Sequence, residues 1–314
     1  MTMNIVVTGG AGFIGSNLVR RLLERSDVNN ITVVDDFSTG SRENLRGMDV
    51  NIVEGSVVNG ALLDKAFTAA DSIVHLGAIP SVPRSVAAPL PSHAANATGT
   101  LTVLEAARKH DAHVIVASSS SVYGANAKLP KAETDWTRPM SPYGVSKLAT
   151  EAYTIAYNYS YGLPTLAFRF FNVYGPGQAA NHAYAAVIPK FLDAALNGRA
   201  LNIEGDGDQT RDFTFIDTVT ETIIDAAKRR VVSQSPVNLA FGTRTSLLEL
   251  IGIIETELGH EVARKHTAPR VGDVRASQAD PALVKQLFPT VFPSPLDAGV
   301  RSTLEWFQQQ GIRQ

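Results

Sequence analysis

Apolar residues fall in short runs through the first half of the chain, and helical patterns separate the runs. Asn4–Thr8 (NIVVT), Ile31–Asp35 (ITVVD), Val50–Val53, Ser72–Leu76 (SIVHL), His113–Ala117 (HVIVA) and Thr165–Phe170 read as strands. Helical spacing covers Gly12–Arg25, Gly60–Ala69, Ala94–Lys109 and Tyr143–Tyr161. Strands that are apolar throughout are buried on both faces, and intervening helices are the crossovers of a parallel sheet. The pattern predicts an α/β protein built on a doubly wound parallel sheet of Rossmann type. After Asn172 the rhythm changes, as Gly and Pro interrupt YGPGQAANHAYAAVIPKF. The expected division is a first domain over 1–172 and a smaller α/β domain over 173–314. Segments near 212–240 are expected to pack back onto the first.

Composition narrows the classes. The chain has 314 residues, 44% hydrophobic and 18% charged, enough for a large core. Its formal net charge is -2 and it has no long basic run, which argues against nucleic acid as a main partner. It has no cysteine, so disulfides, thiolate catalysis and cysteine metal sites are excluded. A cytoplasmic location is the expectation. The opening MTMNIVVTGG has no basic flank and reads as a strand, not a signal peptide. Ala152–Phe168 lacks charge but contains Asn, Ser, Gly, Pro and several Tyr, so no membrane span is expected. His110 and His113 straddle a helix end and a strand, and no metal site is expected.

Two stretches carry chemistry. TGGAGFIG, Thr8–Gly15, follows a strand and opens a helix, the context of a dinucleotide-binding turn. Gly9 permits the tight turn, Gly12 lets the backbone approach a pyrophosphate, and Gly15 allows close helix–strand packing. The helix start offers free N–H groups to phosphate. Asp35 ends the next strand, where a carboxylate accepts from both ribose hydroxyls of NAD and repels the extra phosphate of NADP. A solvated loop acid is the plain alternative, and Arg42 lies close in sequence. Asp35 and Asp36 together favour NAD. The second stretch is SPYGVSK, Ser141–Lys147. Tyr143 and Lys147 share one helix face a turn apart, behind the helix start made by Ser141 and Pro142. Taken alone, such a pair also occurs by chance on exposed helices.

With ASSSSVYG (Ala117–Gly124), RFFNVYGPG, GDGDQTRDFTFID and PRVGDVRASQAD, these stretches resemble the extended short-chain dehydrogenase/reductase superfamily. The resemblance runs along nearly the whole chain. It is to the nucleotide-sugar branch, and within it to UDP-hexose 4-epimerases. It implies that Tyr143 is the base, with its phenol lowered from about 10 by Lys147 and a positive nicotinamide. Ser119 hydrogen-bonds the sugar 4-oxygen. By that resemblance the C4 hydride would pass to NAD, the 4-keto sugar turn over, and the hydride return to its other face. Related 4,6-dehydratases carry Asp-Glu where this chain has Ser120 and Ser121, which leaves epimerisation as the expected reaction.

By the same resemblance, Gly9, Gly12, Phe13, Ile14, Gly15, Asp35, Asp36, Ser38, Gly40, Ser56, Leu76, Gly77, Ala78, Asn96 and Phe170 bind the cofactor with Tyr143 and Lys147. Ser81, Ser120, Ser121, Asn172, Ala186, Val187, Arg211, Arg270, Asp273 and Ser277 bind the UDP-sugar with Ser119 and Tyr143. There are departures: Ser56 stands where the family often has Asp, and Pro80 where some epimerases have Lys. SVPRSV (Ser81–Val86) looks like the branch acting on N-acetylated sugars, and Ser277 stands where epimerases of plain hexoses carry Tyr. The expected substrates are UDP-N-acetylglucosamine and UDP-N-acetylgalactosamine, with UDP-glucose and UDP-galactose tolerated. A UDP-glucuronic acid 4-epimerase or decarboxylase is the rival enzyme, its carboxylate held by Arg84 or by Ser120 and Ser121. A non-catalytic NAD-binding regulator is the rival of another class. Leu101, Leu104, Ile155 and Tyr159 make the helices that contain them apolar on more than one side. Such helices pair across a two-fold axis in the family, which implies a homodimer.

Overall fold

The computed structural model describes residues 2–180, 185–268 and 275–311. The expected strands form as β1 (Met3–Thr8), β2 (Val28–Asp35), β3 (Asn51–Glu54), β4 (Ser72–His75), β5 (His113–Ser119) and β6 (Thr165–Phe170). A strand at Val237–Leu239 completes a seven-stranded sheet, in the order Val237–Leu239, β6, β5, β4, β1, β2, β3. Every neighbouring pair is parallel. The order reverses between β1 and β4, so the crevice beyond their C-terminal ends is where a ligand of such a sheet binds.

Alternation along the strands builds two cores. Ile5, Val7, Ile31, Val33, Ile115, Leu166 and Phe168 pack on one face with Leu18 and Leu22 of helix α1 (Phe13–Leu23) and with Val219 and Ile223 of the helix Ile216–Arg229. Val6, Val34, Ile73, Val114, Val116 and Ala167 point to the other face. There they meet Leu63 of α2 (Gly60–Ala66), Val103 and Leu104 of α5 (Gly99–Lys109) and Tyr157 of α6 (Pro142–Tyr161). Two short helices, α3 (Val82–Ala87) and α4 (Pro89–His93), lie between α2 and α5 in the chain. The sheet thus takes a strand and a helix from beyond residue 172. The rest of the C-terminal part has its own core around Ile188, Phe191, Leu201, Phe213, Leu250, Ile254 and Leu304.

Local chemistry sets the helix ends that matter. The Ser141 hydroxyl accepts the Gly144 N–H at 3.1 Å, Pro142 occupies the first turn, and Gly162 closes α6 at φ 67°. The helix expected from Ala94 begins with a π-helical turn, Ala94–Thr98, before α5. The turn lets the Asn96 carbonyl accept from the Thr100 and Thr150 hydroxyls at 2.6 and 3.1 Å. Leu104, among the residues that make its helix apolar on more than one side, is fully buried in the second core, whereas Val145, Tyr153 and Tyr159 of α6 are exposed. Among the described residues, no helix is long and apolar enough to cross a membrane.

Candidate active site

The glycine turn sits at the crevice. Gly9 has φ 71°, and a Cβ there would lie 2.7 Å from the Gly77 nitrogen. The turns after β1 and β4 therefore touch, and only glycine lets them. A Cβ on Gly15 would lie 2.2 Å from the Gly9 carbonyl oxygen, so α1 packs directly on the turn. Gly12 differs: a Cβ there would meet only the Gly9 oxygen, at 3.3 Å. The space beside Gly12 is an open cradle at the start of α1, where no side chain caps the helix. Phe13, Ile14 and Gly15 carry the N–H groups of that first turn. Diphosphate fits this donor set.

Asp35 is buried at the end of β2, and its two oxygens accept the Ala11 and Phe37 N–H groups at 2.9 and 2.8 Å. Burial raises its carboxyl above the usual range, and these two N–H groups oppose the rise. The pinned carboxylate keeps lone pairs for ribose hydroxyls. Arg42 pairs with Glu54 and stacks on Phe37, 4.2 Å from its ring centre. Asp36 is exposed and accepts from the Ser38 N–H and hydroxyl, and Gly40 packs on the Ala11 backbone. Ser56 is half-buried just past β3. Leu76, Gly77 and Ala78 follow β4, and the Thr8 hydroxyl accepts the Gly77 N–H at 3.2 Å. We expect NAD to bind more tightly than NADP by on the order of a hundredfold, the worth of one to two charged hydrogen bonds plus phosphate repulsion. Titration of stripped protein with each cofactor measures this, and equal affinities would defeat the argument.

Asn96 is fully engaged by the protein. Its Oδ1 accepts the Ile79 N–H at 2.8 Å, and its Nδ2 donates to the Ile79 carbonyl and the Ser146 hydroxyl at 3.2 and 2.9 Å. Its side chain fastens the loop after β4 to α6. No sequence signal pointed to this fastening role, nor to Ser85, whose hydroxyl accepts the Tyr143 N–H at 3.0 Å.

Ser119 ends β5, Phe170 ends the neighbouring β6, and α6 carries Tyr143 toward Ser119 and Lys147 to the Ala117 carbonyl of β5. Burial raises the Tyr143 phenol above its ordinary value, and a hydrogen bond with Ser119 opposes the rise. Burial thus adds an upward pull on the phenol that residue types alone do not reveal, and Ser119, with Lys147 and the nicotinamide by expectation, works against it. Lys147 is itself buried, donates to the Ala117 carbonyl at 2.7 Å, and is brought down to about 8 by burial. The Ser119 and Ser121 hydroxyls are 2.5 Å apart, and Ser120 lies half-buried between them.

Several residues expected on the sugar side meet at a second corner. Asn172 Nδ2 donates to the Asp212 carbonyl at 3.2 Å, and the Ser277 N–H donates to the Thr210 carbonyl at 3.0 Å. Arg211 lies between those two acceptors in the chain and pairs in antiparallel register with Thr245. Ser81 sits at φ 95°, a strained value for serine, with its hydroxyl accepting the Arg84 N–H at 3.2 Å at the start of α3. Ala186 is exposed and precedes the helix that Val187 begins. Arg270 and Asp273 lie outside the described residues.

The NAD dependent epimerase/dehydratase family matches residues 5–240. A UDP-glucose 4-epimerase of Mycolicibacterium smegmatis is 35% identical over 98% of this chain and 99% of its own. The structure of a UDP-N-acetylglucosamine 4-epimerase from Methanobrevibacter ruminantium, in complex with UDP-N-acetylmuramic acid, superposes with a TM-score of 0.92 at 36% identity. It covers 98% of this chain and 99% of that one. A UDP-glucuronic acid 4-epimerase from Bacillus cereus, in complex with UDP-glucuronic acid and NAD, superposes at 0.89 with 28% identity, over 98% and 100% of the two chains. The chain belongs to the NAD-dependent epimerase/dehydratase family, and NAD is its cofactor.

Proposed function

We propose that the protein interconverts the C4 epimers of a UDP-N-acetylhexosamine. The broader statement, that it is a nucleotide-sugar 4-epimerase, follows from its family and its full-length kinship with such enzymes. The substrate is the finer claim. NAD, when bound, supplies the acceptor and donor of the C4 hydride. The Gly9–Gly15 turn and Asp35 hold it, Tyr143 takes the 4-hydroxyl proton and later returns it, and Ser119 hydrogen-bonds the same oxygen.

The observation that carries the substrate reading is Ser277. Its backbone is tied to Thr210, and a small half-buried side chain stands in the corner that also holds Arg211 and Asn172. A serine there leaves room for an acetamido group. Room alone gives no preference; a hydrogen bond that the wrong sugar leaves unmade does. Asn172 has one amide hydrogen beyond the one it gives to Asp212, and an acetyl oxygen can accept it. The rival carboxylate sugar would recruit Ser121, whose hydroxyl is already bonded to Ser119. The uncharged outer stripe of α6, from Val145 through Tyr153 to Tyr159, supports a homodimer.

Incubation with a panel of UDP-sugars, with products separated by chromatography, tests the assignment. Both N-acetylated sugars should interconvert. Ser277→Tyr should lose them by roughly a hundredfold or more through steric exclusion, while any plain hexose activity persists. Turnover of UDP-glucose or UDP-glucuronic acid with no reaction of either N-acetylated sugar would make the assignment wrong.

A further inference from the structure

We infer that the Ser121 hydroxyl sets the direction in which Ser119 donates, so that Ser119 keeps its single proton for the oxygen it faces: the Tyr143 phenolate before substrate binds and the sugar 4-oxygen after. What that donation serves rests on the 4-epimerase reading above. The argument is one of counting. A serine hydroxyl has one proton and two lone pairs. Ser119 Oγ accepts the Ser121 backbone N–H at 3.2 Å, which fills one lone pair. Ser121 Oγ lies 2.5 Å away, close enough that one hydroxyl donates to the other. The Tyr143 phenol, on the helix that this turn packs against, is the group whose rise Ser119 opposes. When Ser121 donates, both lone pairs of Ser119 are taken, and only its proton is left for Tyr143. A phenolate, which can only accept, needs that arrangement. The opposite arrangement makes Ser119 spend its proton on Ser121 and holds Tyr143 as the protonated phenol.

The backbone fixes Ser121 for this task. Ser120–Val122 form a 3-10 turn at the end of β5. The Ser121 carbonyl oxygen would lie 2.9 Å from a Cβ at position 144, so only glycine lets the turn approach α6 this closely. Gly144 directly follows Tyr143. The turn carrying Ser121 and the helix carrying the base are therefore locked together, with Ser119 bridging them. Ser121 acts through Ser119 and is a positioning residue.

The matched pair Ser121→Thr and Ser121→Val separates hydroxyl from shape, and Ser121→Ala gives the small limit. In the NAD-loaded enzyme, Val and Ala should lower kcat about tenfold with little change in KM, the worth of one directed hydrogen bond. Thr should restore the wild-type rate. The phenolate absorbance of wild type minus Tyr143→Phe isolates the Tyr143 titration. Its midpoint should rise in the Val and Ala variants and stay in place with Thr. Equal midpoints in all four proteins, or equal losses with Thr and Val, would overturn the inference. The titration needs no substrate, so it decides the matter even if no UDP-sugar is turned over and the epimerase reading fails.

Discussion

Replacing Tyr143 by Phe should lower kcat by about a thousandfold, within the range that a positioned acid or base contributes. NAD should stay bound. The phenylalanine keeps the ring and removes only the hydroxyl that meets Ser119. The backbone ties of the position remain, because the Tyr143 N–H bond to Ser85 and the Ser146 bond to the Tyr143 carbonyl do not involve the side chain. Nothing in the glycine turn or at Asp35 depends on the phenol. The sign of the pH dependence follows from burial. The phenol is raised above its ordinary value, so the base form needs help, and kcat/KM climbs as pH rises toward its ionisation. Lys147, brought down to about 8, carries full charge only below that pH. The variant should lose the climb along with the rate. Turnover of UDP-sugars and the cofactor released on denaturation measure both parts. A variant with half the wild-type kcat removes Tyr143 as the base.

The sheet was legible because its strands are apolar on both faces, and such runs have few other uses. The ends of β1, β2, β4, β5 and β6 then put Gly9, Asp35, Gly77, Ser119 and Phe170 on one edge without further information. Residues whose role depends on a distant partner stayed hidden. Gly144 looks like a spacer inside SPYGVSK, and only the approach of the Ser121 carbonyl explains it. Asn96 matches a cofactor-side asparagine by resemblance, but that its amide also fastens Ile79 to Ser146 depends on partners far away in the chain. Periodicity reports which face of a helix is buried, not which hydroxyl it meets there. The upward pull of burial on the Tyr143 phenol stayed hidden for a related reason, since charge is visible in a sequence and desolvation is not.

The clearest case is Glu151, one turn beyond Lys147 on the same face of α6, which sequence reasoning passed over. It pairs with Arg169 of β6 at 2.6 Å, and both side chains are only 4% exposed. The Ser118 hydroxyl, next to Ser119, donates to Glu151 Oε2 at 2.8 Å, and the Arg169 guanidinium lies 4.7 Å from the Tyr123 ring centre. Burial alone would depress the Arg169 guanidinium, but the hydrogen bond and charge of Glu151 outweigh it and hold it above its ordinary value. Glu151→Ala leaves that cation buried without its counter-charge, and unfolding by urea should show a loss of about 3 to 5 kcal/mol. Glu151→Leu combined with Arg169→Met removes both charges and should return most of the stability, because apolar replacement of a buried pair is often neutral. Its kcat should stay well below wild type. Ser118 has lost its carboxylate, so one of the ties that align the end of β5, which carries Ser119, with the helix that carries Tyr143 is gone, while the Ser118–Lys147 and Lys147–Ala117 bonds remain. If the double variant regains full activity with its stability, the pair serves folding alone and has no part in aligning Ser119 with the base.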